Sequence, residues 1–192
     1  MKQVGKFKLL DLIEFQEWLR NFEKKRTINR IQQHHTFIPA YKHFDGNNHF
    51  KLCESMERSH IERGFDEIGQ NITTFPDGTI MLCRDLNIKP AGIKLQNSGA
   101  ICIENVGDFD LGKDSLNDIH RHTIIQITKL LLQKFAIVPN KKNLVYHHWF
   151  DLKTGERIEE EGKGAKKSCP GTNFFGGNTV EAYNTNFLPL FT

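Results

Sequence analysis

Leu144-Val-Tyr-His-His-Trp-Phe150 and the later Lys166-Lys-Ser-Cys-Pro-Gly171 are the stretches around which this sequence is organised. The first reads as a short strand ending in two histidines. The second sets a cysteine after two lysines and before a Pro-Gly turn. Imidazole and thiolate suit a borderline-soft metal such as zinc, which in catalytic sites takes three protein ligands and leaves one position open. A third ligand is available early, at the end of another apolar run, Asn29-Arg-Ile-Gln-Gln-His-His-Thr36. The working expectation is that His34, one of His147 or His148, and Cys169 converge on one metal. A cysteine and a histidine far apart in sequence are commonly unrelated, since a buried free cysteine behaves as a small hydrophobe. The rest of the chain therefore has to connect them.

The bulk composition sets the frame. A length of 192 residues suits one domain with a sizeable core. The formal charge of +3 comes from acids and bases mixed along the chain, not from a clustered basic face, which argues against nucleic-acid binding. Cys53, Cys83, Cys102 and Cys169 form no CxxC pair and no dense framework, so a disulfide scaffold is not expected. Cys102 reads as a reduced core residue. The apolar stretch near the N-terminus is short and broken by Asp11 and Glu14, unlike a signal peptide. No run is long enough for a bilayer. The expectation is synthesis in the cytoplasm, no membrane insertion and a monomer.

Taken in order, Leu9 to Phe22 has helical spacing, and Lys24-Lys-Arg26 closes it with cations. A strand is expected over Ile28–His35, then a loop in which His43 and His49 read as solvated. Phe50–Arg63 is a second helix stopped by Gly64, with His60 as a packing residue. Ile68–Phe75, the turn Pro76-Asp-Gly78 and Thr79–Arg84 make a hairpin. The Pro90–Gly99 region is a long loop of the kind that often binds ligands. Ala100-Ile-Cys-Ile-Glu-Asn-Val106 is a buried type of strand carrying a carboxylate. Glu104 there is either paired and put to work or turned to solvent on an edge. Ser115–Phe135 is a long amphipathic helix whose His120 and His122 read as bland surface residues. Ile137–Phe150 returns to the sheet, and the tail after Gly171 forms a short covering helix. The expected fold class is α/β: a single domain, a central mixed sheet flanked by helices. Residues 28–175 would be the core, 1–27 an N-terminal helix packing on it, and 176–192 a covering segment.

Three polar clusters fall at or near strand ends: His34-His35-Thr36, Glu104-Asn105 and His147-His148. Lys167-Ser-Cys169 lies in a loop. Neighbouring strand ends share one rim of a sheet, where sites in α/β proteins open. A metal there activates water and polarises a carbonyl, a carboxylate takes the proton, and a lysine steadies an oxyanion. That set suffices to hydrolyse an amide.

The ordered set Gln33-His-His-Thr36, Ser59-His-x-x-x-Gly-Phe-x-x-Ile-Gly69, Phe75-Pro-Asp-Gly-Thr79 with Arg84, Ala100-Ile-Cys-Ile-Glu104, Leu144-Val-Tyr-His147 and Lys167-Ser-Cys-Pro-Gly171 resembles a known family. It is that of zinc-dependent N-acetylmuramoyl-L-alanine amidases, homologous to peptidoglycan recognition proteins and phage lysozyme-type amidases. The resemblance implies Zn²⁺ held by His34, His147 (apolar-x-x-His selects it over His148) and Cys169, with Lys167 as the catalytic lysine. Many members carry a tyrosine where this chain has Gln70. A sub-branch uses a central-strand glutamate, which implies Glu104 as proton shuttle. The implied substrate is peptidoglycan or a muropeptide, cut between N-acetylmuramic acid and L-alanine of the stem. Thr36, Asn71, Asn105 and the Pro90–Gly99 loop are the expected substrate contacts. The alternatives are a non-catalytic peptidoglycan-binding module and a zinc peptidase acting within the stem peptide.

Overall fold

The structure, a computed structural model, describes residues 1–160 and 162–192. A seven-stranded mixed sheet forms its centre, in the spatial order β1-β2-β5-β4-β6-β3-β7. The strands are β1 (Lys2–Val4), β2 (Phe7–Leu10), β3 (Arg30–His35), β4 (Ile72–Thr74), β5 (Ile80–Leu82), β6 (Ala100–Asn105) and β7 (Leu144–Tyr146). The helices are α1 (Leu12–Asn21), α2 (His49–Glu62), α3 (Asp118–Lys134) and the short α4 (Val180–Ala182). β4, β6, β3 and β7 run parallel, and the β4–β5 hairpin turns the remainder antiparallel. The α/β class with a mixed sheet flanked by helices is therefore what the chain adopts.

Alternation along β3 and β6 determines what each face of the sheet carries. Successive side chains of a strand point to opposite faces, and these two strands pair in register, Gln32 with Cys102 and His34 with Glu104. One face holds Ile31, Ile101 and Ile103, which join Ile124, Ile127 and Leu131 of α3 and Phe15 and Leu19 of α1 in the main core. The other face holds Gln32, His34, Cys102 and Glu104. Towards β4 and β5 it is covered by Cys53 and Met56 of α2, packed with Phe75, Met81 and Cys83. Because both faces are covered, β3 and β6 are almost wholly buried even where their side chains are polar.

The N-terminal segment differs from the expected simple helix. Leu9 and Leu10 belong to β2, which pairs with β5. The helix begins only after Asp11, whose carboxylate accepts from the Glu14 amide while Glu14 accepts from the Asp11 amide. This reciprocal cap fixes the boundary. Two histidines also differ from their expected settings. His49 opens α2, buried, with its Nε2 2.8 Å from Asp77. His120 is fully buried on the sheet-facing side of α3. Among the described residues no helix is long and apolar enough to cross a membrane.

Candidate metal centre

β3 delivers His34 at the C-terminal rim of the sheet, beside Glu104 of β6. β7 stops at Tyr146, and the chain tightens into a 3-10 turn whose first residue is His147. Cys169 arrives from a loop tied to that turn. The His148 amide donates to the Cys169 carbonyl at 2.7 Å, and His148 Nδ1 bonds the Lys167 carbonyl at 2.6 Å. Ser168 Oγ and the Thr172 amide both donate to Asp110, at 2.9 Å each. Gly171 sits at φ +117°, and a Cβ there would lie 2.4 Å from the Phe109 carbonyl oxygen, so only glycine fits. The loop is thus held from three sides, and its cysteine points inward.

The outcome is that one ligand atom each from His34, His147 and Cys169 lies within 4.8 Å of the others, and all three residues are buried. His34 Nδ1 and His147 Nδ1 face each other at 3.2 Å. Two nitrogens about 2.05 Å from one tetrahedral ion would stand about 3.3 Å apart, so this spacing matches a shared cation. His148 turns away to the Lys167 carbonyl, so it braces the loop and leaves His147 as the imidazole facing His34.

Electrostatics suit the same role. Burial first, then the neighbouring His147 and the Lys167 ammonium, holds His34 well below the ordinary histidine value. Burial and Lys167 bring His147 to about 3. Both rings are therefore neutral at physiological pH, as nitrogen ligands must be. Burial, reinforced by the Glu104 carboxylate, pushes the Cys169 thiol up, so a bound cation would have to take the place of its proton. Glu104 Oε1 lies 3.7 Å from His34 Nδ1, its side chain is 19% exposed, and Oε2 has no hydrogen-bond partner among the described residues. Burial raises Glu104 to about 8, against the downward pull of Lys167 and Arg63. Lys167 itself is exposed, with its charge felt at His34, His147, Glu104 and Cys169. Two imidazoles and a thiol as ligands, a carboxylic acid beside them and an exposed ammonium whose charge reaches them form a donor set that fits zinc with a working position left over. Cavity size does not mark the place. A cleft of about 610 Å³ lined by Glu14, Trp18, Asn21 and Asp85 contains none of these residues, and the donor chemistry identifies the site instead.

Drosophila PGRP-LB has a similar structure, at 20% identity and a TM-score of 0.62, over 89% of this chain and 86% of that one. The chain has the peptidoglycan recognition protein and amidase fold. The N-acetylmuramoyl-L-alanine amidase endolysin LysCS from Clostridium intestinale shares it at 21% identity and a TM-score of 0.54, over 83% of each chain. So does a Drosophila PGRP-LB variant in complex with tracheal cytotoxin, at 20% identity and a TM-score of 0.61, over 89% of this chain and 87% of that one. No protein-family model and no curated protein matches the sequence.

Within this amidase-type fold, the expected substrate contacts need correction. Asn71 is fully buried. Its Nδ2 donates to the carbonyls of Arg84, Asp85 and Ile88, and its Oδ1 accepts from the Cys102 amide, so no atom is free for a ligand. Asn105 is also fully buried. It donates to the His34 carbonyl at 2.7 Å and to Gln33 Oε1 at 3.1 Å, and it accepts from Thr74. Thr36 is half-buried, and its hydroxyl binds the Pro39 carbonyl and accepts from the Gly107 amide. Asn105 thus positions the rim and Asn71 ties the start of β4 to the segment after β5, with neither presenting a polar group to a substrate, while Thr36 braces the rim through its hydroxyl. The Pro90–Gly99 loop packs its Gly92 against Gln32, Cys102 and His34. Sequence reasoning missed Asp110, whose only signal was an acidic pair, Asp108 and Asp110, just after β6. It also missed His120, whose helical position next to polar neighbours concealed its burial.

Proposed function

We propose that the protein is a zinc-dependent peptidoglycan hydrolase that cleaves the amide between N-acetylmuramic acid and L-alanine of the stem peptide. The observation that carries this reading is the convergence of His34, His147 and Cys169 beside Glu104 and Lys167. The amidase endolysin of the same fold, and the PGRP-LB variant bound to tracheal cytotoxin, support a peptidoglycan fragment as the class of substrate.

His34, His147 and Cys169 would hold the zinc. When bound, it supplies Lewis-acid polarisation of the scissile carbonyl and makes water acidic enough to attack near neutral pH. In this reading Glu104 takes the proton. It is largely desolvated, has no hydrogen-bond partner for Oε2 among the described residues, and has an affinity for the proton near neutrality, as a general base needs. As the amide breaks, the same carboxyl returns that proton to the leaving amine of L-alanine. In this reading the Lys167 ammonium stabilises negative charge on the carbonyl oxygen. His148, Asp110 and Gly171 keep Cys169 in position, and Asn105 does the same for His34 through its carbonyl. Residues 28–175 form the catalytic core of this reading, with the flanking segments packed on it. The protein would act as a monomer on the wall after release or lysis.

The test is mass spectrometry of products from purified peptidoglycan, with and without a chelator. Free stem peptides with N-terminal alanine, formed only with metal present, support the amidase. Cuts between stem residues would make it a peptidase, and zinc bound without any release would make it a binding module.

A further inference from the structure

Two of the free cysteines, Cys53 and Cys83, take no part in the candidate metal centre. Cys53 lies on α2 and Cys83 directly follows β5, and both belong to the apolar cluster where α2 covers the sheet. Thr73 of β4 stands between them. Its hydroxyl is 3.3 Å from Cys83 Sγ and accepts from Gln70 Nε2 at 3.0 Å. Cys53 makes side-chain hydrogen bonds both to that hydroxyl and to the Cys83 sulfur. Two thiols from separate elements are therefore in contact. A free cysteine buried as a small hydrophobe needs no second sulfur beside it, so packing alone does not account for the pair. Met56 and Met81 share the cluster, and their unbranched thioethers repack easily around a change of shape. The two sulfurs differ in access. Cys53 is fully buried, and burial pushes its thiol up. Cys83 is 4% exposed and borders a cleft of about 220 Å³.

We propose that Cys53 and Cys83 are a redox-active dithiol that closes to a disulfide in oxidising surroundings and staples α2 to the end of β5. The oxidant is a low-molecular-weight organic disulfide. Cys83, on the cleft, gives its proton to solvent, and its sulfur attacks one sulfur of the oxidant. The other oxidant sulfur leaves as a thiolate and takes up a proton. Cys53 then gives up its proton, and its sulfur displaces the second oxidant thiolate from Cys83. One S–S bond forms in the protein for the one broken in the oxidant, so the two cysteines are oxidised and the oxidant is reduced to two thiols. A disulfide needs sulfurs about 2.05 Å apart and Cβ atoms about 3.8 Å apart, a closure that a pair already in contact reaches as the two methionines repack. The bridge closes a loop of about 30 residues and so restricts the unfolded chain, which makes the oxidised form the more stable one. The proposal is independent of the hydrolytic reading, which uses neither sulfur.

The experiment incubates the reduced full-length chain with bis(2-hydroxyethyl) disulfide, blocks the remaining thiols with N-ethylmaleimide in denaturant, and maps tryptic peptides by mass spectrometry. The expected product has lost two hydrogens and joins the peptide Leu52–Arg58 to Gly64–Arg84, with Cys102 and Cys169 recovered as blocked thiols. Cys53→Ser should instead retain the mixed disulfide on Cys83, because nothing resolves it, and Cys83→Ser should leave Cys53 reduced. The oxidised wild-type chain should melt roughly 5–15 °C above the reduced one, and the gain should vanish in Cys53→Ser. A chain that stays reduced, a dominant bridge through Cys102 or Cys169, or a Cys53–Cys83 bridge with no rise in melting temperature would overturn the proposal. The peptide map and melting curve of the wild-type chain decide the matter even should a serine variant fold poorly.

Discussion

His120 gives the most quantitative test of how this site is supported. Thr74 has one hydroxyl hydrogen, and it goes to Asn105 Oδ1 at 2.7 Å. His120 Nε2, 2.7 Å from the same oxygen, must therefore be the donor, and Nδ1 must accept from the Tyr41 hydroxyl at 2.8 Å. This polarised chain runs from Tyr41 through His120, Thr74 and Asn105 to the carbonyl of His34. It requires a neutral imidazole, and burial depresses His120 to about 3. An unfolded histidine titrates near 6.5. Between those values the unfolded chain holds the extra proton, so the contribution of His120 to stability is complete above about pH 6.5 and is lost as pH falls towards 3. The loss is about 1.4 kcal/mol per pH unit within that window, or about 2 kcal/mol between pH 8 and pH 5. His120→Gln keeps an acceptor and a donor but cannot titrate. Urea unfolding, followed by fluorescence of the buried Trp149, should give wild-type and variant curves of stability against pH that converge by about 2 kcal/mol from pH 8 to pH 5. Other depressed histidines, His34, His35, His60 and His147, act in the same direction in both proteins and cancel in the difference. Parallel curves would refute the neutral-imidazole chain.

Cys169→Ala should lose both zinc and lytic activity, measured by metal analysis and turbidity loss of wall suspensions; retention of both would remove the tripod from consideration. Glu104→Gln should retain zinc but turn over at least about a hundredfold more slowly on soluble muropeptide, and a near-normal rate would assign proton transfer to another group. Asn71→Ala should cost on the order of 3 kcal/mol of stability, because it strands the Cys102 amide and removes the side-chain donor from the carbonyls of Arg84, Asp85 and Ile88, while KM stays within about twofold. A selective rise in KM without loss of stability would restore Asn71 as a substrate contact.

What the sequence disclosed, and what it concealed, follows from the range of the forces involved. The ends of β3, β6 and β7 were legible because strand periodicity and the pattern of apolar residues are local, and they carry His34, Glu104 and His147 to one rim almost automatically. Cys169 was legible because Pro-Gly after a Lys-Ser-Cys run is a local turn signal, although what holds that turn in place, Asp110 and the His148 ring, comes from elsewhere in the chain. Asn71 and Asn105 were misread for the same reason. A polar side chain at a strand end looks like a ligand contact until its partners are known, and those partners are carbonyls and amides 14 to 71 residues away. His120 is the sharpest case. Its helical position among polar neighbours pointed outwards, whereas α3 in fact presses that side against β4, where Thr74 on one ring nitrogen and Tyr41 on the other make a fully buried imidazole tolerable. Polar residues in this chain thus divide by where their partners lie. Those satisfied locally were readable, while those satisfied across the sheet form the support on which the candidate metal centre rests. A search for function in sequences of this fold therefore gains most from asking which strand-end asparagines and helix histidines can reach one another, because such pairs set the position of the ligand backbone before any metal arrives.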